Sequence, residues 1–240
     1  MIEFIVDPGC NFTSIGDLKS LMRRCKDAGA TYFKPQLWEC DDLYSPENNP
    51  FYEWQKSHEL TFEQAKEIFN YGKEIELEVF FSVYDTDRVG WCERIGVDRY
   101  KIAARSINDM DLQLAISDTQ KLPIMSRSVD HFSENSNRFY RGVFKDLKIL
   151  YSTSSYPTPP NHLNFAWMID EDGFSDHTKG IEMSMIAASL AITKGKKNYI
   201  IEKHAYYGSD IIGKSPDMCV SISMLELSDL IIHVRRMEQY

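Results

Sequence analysis

Gly173-Phe174-Ser175-Asp176-His177-Thr178 and Tyr199-Ile200-Ile201-Glu202-Lys203-His204 each read as a short apolar strand running into a polar tip that holds a histidine. Between them, Ile181 to Thr193 has the spacing of an amphipathic helix. Strand, helix and strand in that order form a right-handed crossover in a parallel sheet, which sets the two strands side by side with His177 and His204 at one edge. Two neutral imidazoles at the rim of a sheet make a metal site with open positions, whereas a lone histidine at a strand end is more often a hydrogen-bonded structural residue. Chemistry in β/α barrels collects at the carboxyl ends of the strands, so the rest of the chain can be tested for the same pattern.

Outward from this pair, strand-like and helix-like segments alternate. Runs rich in β-branched and aromatic residues predict strands at Ile2 to Val6, Thr31 to Phe33, Glu78 to Val83, Arg99 to Ile102, Leu122 to Met125, Leu147 to Tyr151, Gly173 to Phe174 and Tyr199 to Ile201. Leu18, Leu21, Met22, Cys25 and Ala28 share one face of a first helix, which Gly29 ends, and Thr61 with Gln64 forms a capping-box signature for a second. Leu112, Leu114, Ala115 and Ile116 mark another helix, Val129 to Phe139 a weakly patterned one, and Leu227, Leu230, Ile231, Val234 and Met237 the last. Eight βα units in 240 residues predict a single (β/α)8 TIM barrel over residues 1–240. Neither G-x-G-x-x-G nor G-x-x-x-x-G-K follows the first strand, which removes the support for an open doubly wound sheet.

Composition bounds the function. The net charge of −9 argues against a nucleic-acid or anionic-membrane surface, yet lysines focused in a cleft still bind phosphate in an acidic protein. Five dispersed cysteines without a C-x-x-C pair point to reduced thiols and a cytoplasmic setting. The amino terminus, Met1 to Asp7, reads as a first strand and not a signal peptide, and no segment approaches the roughly 20 apolar residues of a membrane span.

The carboxyl ends of the predicted strands gather Asp7, Lys34 with Gln36, Ser82, Lys101, Ser126, Ser152 to Tyr156, Ser175 to Thr178 and Glu202 to His204. Lys34 and Lys101 end apolar strands on different sides of the expected barrel, where a buried cation needs an anionic partner. An anionic ligand would supply it for both, and so would a strand-end carboxylate such as Asp7 or Glu39.

These residues carry a resemblance. Phe33-Lys34-Pro35-Gln36, Tyr100-Lys101-Ile102, Ile124-Met125-Ser126, Tyr156-Pro157-Thr158-Pro159, Gly173 to Thr178, Ile201 to His204 and Ser215-Pro216-Asp217, in this order and spacing, look like the catalytic barrel of the sialic acid synthase family. That family includes N-acetylneuraminate, legionaminate and pseudaminate synthases and related spore-coat polysaccharide proteins. The resemblance implies condensation of phosphoenolpyruvate with an N-acyl hexosamine-like aldose, for surface glycan synthesis, with Mn2+ or Mg2+ as cofactor. By the same resemblance Lys34, Lys101, Ser126 and Ser175 grip phosphoenolpyruvate and Tyr156 lies beside it. His177 and His204 hold the metal, Asp7 is an acid/base, and Asp217 and Gln36 face the sugar.

The chain also departs from the family's pattern. Asp7 stands for Glu, Phe12 for His, Val83 for a hydroxyl residue, Ala104-Arg105-Ser106 for a stretch with Gly, Ser and an acid, and Arg127-Ser128 for Thr-Gly. The sequence stops at Tyr240 without the family's antifreeze-like domain, whose arginine reaches into a partner's site. Arg105, or else Arg127, is therefore expected to supply a cation from within the barrel. A different aldehyde acceptor, or a barrel reduced to a binding protein, stays open beside the first reading, as does a homo-oligomer.

Overall fold

Eight parallel strands close into a ring in the computed structural model, which describes residues 1–128 and 134–240. They are β1 (Glu3–Asp7), β2 (Tyr32–Phe33, resuming at Gln36–Leu37), β3 (Glu78–Val79, resuming at Phe81–Val83), β4 (Arg99–Ile102), β5 (Leu122–Ser128), β6 (Lys148–Ser152), β7 (Gly173–Asp176) and β8 (Ile200–Tyr206). Each pairs with its successor, and β8 pairs back to β1 with His204 opposite Asp7, so no barrel edge is left open. The expected adjacency of the two histidine strands holds, in the register Glu202 to Ser175 and Lys203 to Asp176.

Side-chain alternation then divides the chain into layers. Ile5, Tyr32, Phe80, Ile124, Leu150 and Ile200 form one buried cluster that fills the barrel's interior. Their neighbours in sequence, among them Val6, Phe33, Phe81, Met125 and Ile201, join the larger core between the strands and the helices. Gly173 is needed in that interior, because a Cβ there would lie 2.4 Å from the carbonyl oxygen of Ile200.

Local signals set the helices as the sequence predicts. α1 (Ile15–Ala28) is capped by Ser14 and ends at Gly29, whose φ of 92° is left-handed. α2 (Phe62–Glu74) has the Thr61/Gln64 capping box. α3 (Thr86–Ile95), α4 (Met110–Asp118), α5 (Glu134–Val143), α6 (Phe165–Asp170), α7 (Glu182–Thr193) and α8 (Met224–Met237) complete the outer layer. Part of the helix anticipated at Val129 to Phe139 lies outside the described residues. In α4 the buried residues are Leu112, Gln113 and Ile116, while Leu114 is exposed, so of the apolar residues that mark this helix Leu114 does not belong to its inner face. No helix among the described residues is long and apolar enough to cross a membrane.

Candidate active site

Above the apolar interior layer, the next inward positions on the strands are polar, and they line a cavity of about 810 Å³ at the carboxyl end of the barrel. Eleven of the residues singled out from the sequence line it: Asp7, Lys34, Gln36, Lys101, Arg105, Ser126, Tyr156, Ser175, His177, His204 and Asp217. Each strand contributes through its parity. On β8, Ile200, Glu202 and His204 face in, and on β5, Ile124 and Ser126 do.

The floor is a buried charge cluster. Lys34 donates to the Asp7 carboxylate and lies 3.7 Å from Glu202, while Lys101 lies 3.6 Å from Glu202 and donates to Ser126 Oγ at 2.8 Å. The two lysines, expected on different sides of the barrel, thus converge on one carboxylate. Of the alternatives for their partners, Asp7 is found. Glu39 is not, since it pairs with Lys56 and Arg88 away from the floor. Glu202, which the sequence reading left without a role, is the hub. It also accepts from Ser175 Oγ at 2.7 Å, and its Oε2 has no hydrogen-bond partner among the described residues.

Burial alone would raise the Asp7 carboxyl, but the Lys34 ammonium and His204 override it and hold it below the usual carboxylate range. Glu202 is likewise lowered against its burial by Lys101 and Lys34. Lys101 goes the other way, because burial outweighs Glu202 and pulls the amine down to about 8. Burial raises Asp217, with Asp7 adding to the effect and His204 opposing it. Asp217 approaches so closely that a Cβ on Gly9 would lie 2.1 Å from its Oδ2, and the same oxygen accepts from the Cys10 amide at 3.0 Å.

The wall beside the floor carries the imidazoles, with ring centroids 6.1 Å apart. His177 Nδ1 lies 3.0 Å from the Thr153 carbonyl, which only accepts, so the ring's proton sits on Nδ1 and the Nε2 lone pair turns into the cavity. Burial and the neighbouring His204 lower His177 to about 3, so it is neutral at physiological pH. His204 Nδ1 has no hydrogen-bond partner among the described residues and lies 3.9 Å from Asp7 Oδ1. The two rings, one oriented by a backbone carbonyl, fit a divalent cation. No group of three or more His, Cys, Asp or Glu suited to a metal occurs among the described residues. Tyr156 covers this wall, its hydroxyl 2.7 Å from His177 Nε2.

The rim comes from loops that sequence parity does not reach. Tyr84 donates to Gln36 Oε1, and Tyr44, Asn49 and Gln55 line the cavity from the segment after β2. Arg105 sits at this rim, its guanidinium 4.8 Å from the Tyr44 ring and 3.2 Å from the Leu43 carbonyl. Arg127 cannot serve as the cavity's cation. It follows inward-facing Ser126, points to the outer layer, is fully buried and pairs with Glu171 at 2.6 Å.

Comparison with known proteins agrees with this geometry. The NeuB family model matches residues 21–240. The N,N'-diacetyllegionaminic acid synthase of Campylobacter jejuni is 23% identical over 252 residues, covering 100% of this chain and 71% of that protein. The pseudaminic acid synthase of Helicobacter pylori is 26% identical over 209 residues, covering 77% of this chain and 61% of that protein. In structure, the N-acetylneuraminic acid synthetase of Leptospira borgpetersenii superimposes with a TM-score of 0.85 at 23% identity, over 98% of this chain and 83% of that one.

Proposed function

We propose that this chain, which belongs to the NeuB family, condenses phosphoenolpyruvate with the aldehyde form of an aldose, releasing phosphate and forming a nonulosonic-type sugar acid for a surface glycan. The observation that carries the reading is the convergence of two lysines and two imidazoles in one buried cavity at the catalytic end of the barrel. The dispersed, unpaired cysteines support a cytoplasmic setting.

Lys34 and Lys101, with the hydroxyls of Ser126 and Ser175, bind the phosphate and carboxylate of phosphoenolpyruvate. Charge-assisted donors in a buried site are the natural partners of such an anion. His177 and His204 hold a divalent cation, Mn2+ or Mg2+, which supplies Lewis-acid polarisation of the aldehyde oxygen. Gln36 and Tyr156 orient the acceptor so that carbon three of phosphoenolpyruvate reaches the aldehyde carbon. Water then adds to carbon two, and the tetrahedral centre collapses with loss of phosphate.

The two carboxylates take separate roles. Asp7 accepts from Lys34, Gln36 and the Gly9 amide and is held ionised, which makes it an anchor and a poor proton carrier. Asp217, whose pKa is raised by burial, is the better proton carrier of the two. Phosphate release from phosphoenolpyruvate with Mn2+, measured across a panel of aldoses, tests the reading. No release with any aldose would defeat it.

Lys101 gives the reaction a basic limb. Below about pH 8 its amine is a cation facing the anionic substrate, and above that pH it is neutral. The affinity for phosphoenolpyruvate is therefore expected to fall by up to about tenfold per pH unit above 8. A flat titration between about pH 7 and 9.5 by calorimetry would remove Lys101 from the anion site.

Arg105 is the rim residue assigned to the acceptor. Its planar guanidinium offers paired donors that lysine does not reproduce. Arg105→Lys should raise the acceptor's KM or cut turnover by about tenfold, about 1.4 kcal/mol of transition-state binding. Unchanged kinetics would leave Arg105 as a surface residue stacked on Tyr44.

A further inference from the structure

Behind the histidine pair, on the outer face of β7 and β8, lies a buried ion pair to which the proposed chemistry gives no role. Strand alternation turns Asp176, the neighbour of His177, and Lys203, the neighbour of His204, away from the cavity and toward α7. The two are cross-strand partners, with Lys203 Nζ 3.3 Å from Asp176 Oδ2 and both side chains almost fully buried. The carboxylates of Glu182 and Glu226 also act on Lys203, while Phe174, Ile201, Ala187 and Ala188 belong to the core between strands and helices. An ion pair in such a place adds little net stability over apolar residues of the same volume, so stability alone does not account for it.

Most of its hydrogen bonds lead to the loop that carries His177. Asp176 Oδ1 accepts the Thr178 amide at 2.8 Å and the Thr178 hydroxyl at 2.7 Å, and Oδ2 accepts the Ser184 hydroxyl of α7. Lys203 donates to the Thr178 carbonyl at 2.6 Å. From the other side, the Thr158 amide donates to the His177 carbonyl at 2.8 Å. Both ends of the peptide group between His177 and Thr178 are thus held, and the ring is left against the Thr153 carbonyl.

We infer that Asp176 and Lys203 are positioning residues that tie the ends of β7 and β8 together, hold His177 in its Nδ1-protonated orientation and set its spacing from His204. The inference rests on the metal reading given above. Partners one step removed from a ligand typically change metal affinity by about 10- to 100-fold when lost.

The test is the double variant Asp176→Asn/Lys203→Met, which keeps side-chain volume and leaves no unpaired buried charge. Its melting temperature should stay close to that of the wild type. Its Mn2+ dissociation constant, read from the electron paramagnetic resonance of free Mn2+, should rise at least about tenfold. The nitrogen NMR shifts of His177 should change from the Nδ1-protonated form to a mixture of tautomers. A folded double variant with wild-type Mn2+ affinity and a single tautomer would overturn the inference. Should the double variant fail to fold, Ser184→Ala removes one bond to Asp176 without unpairing a charge, and it should weaken Mn2+ by about threefold on the same scale. Unchanged affinity in that variant would equally overturn the inference. A wild type that takes up no Mn2+ would defeat the metal reading instead, and the His177 tautomer ratio would then decide the inference alone.

Discussion

His204→Ala is expected to retain no Mn2+ and to turn over no phosphoenolpyruvate, with the fold intact. The residue sits in the interior of β8, opposite Asp7 in the ladder, and its Nδ1 has no hydrogen-bond partner among the described residues. Removing the ring therefore breaks no hydrogen bond at that atom, and Asp7 keeps Lys34, Gln36 and the Gly9 amide. The loss should fall on chemistry, because His177 alone gives a divalent ion one ligand in place of two. Turnover is expected to drop by about a thousandfold or more, equivalent to about 4 kcal/mol of transition-state stabilisation. Normal turnover by the variant, or wild-type uptake of Mn2+, would remove the metal from this site.

Lys101→Met should weaken phosphoenolpyruvate binding by about a hundredfold, for two reasons that one further variant separates. The ammonium contacts Ser126 and Glu202 from inside the barrel, so its loss removes a donor to the substrate and also leaves Glu202 with less positive charge near it. Breaking a buried pair by removing one partner costs about 3–5 kcal/mol, so the single variant will be destabilised. Lys101→Met/Glu202→Gln removes the stranded charge and should recover most of that stability while phosphoenolpyruvate binding stays weak. Recovery of both in the double variant would mean that Lys101 serves the fold and not the substrate. The double variant should also lose the fall in affinity above about pH 8, since that limb belongs to Lys101.

Both predictions began as strand-end residues in a sequence. The alternation of strand and helix and the capping of α2 by Thr61 and Gln64 were readable there because each rests on interactions within a few residues, and the neighbouring strands of His177 and His204 because a strand-helix-strand crossover sets parallel strands side by side. The same period of two, applied consistently, also carries Glu202 inward with His204 and turns Arg127 outward from Ser126. That signal was present in the chain, and weighing Arg127 as a cation for the cavity overlooked it.

The sequence by itself determined which side of each strand is polar, and hence that a charged cavity forms at one end of a β/α barrel. Only the tertiary structure decided which of those charges meet. Lys34 and Lys101 leave strands two places apart, yet they converge on Glu202 from β8 because the sheet closes and turns its inner faces toward a common axis. Ring closure also brings Asp217 against Gly9, and it sets Tyr84 and Arg105 at the rim from separate loops. Parity along a strand is a local property of the backbone, fixed by where successive Cβ atoms point. Distance across a barrel depends on strand number, tilt and stagger together, which no single segment encodes.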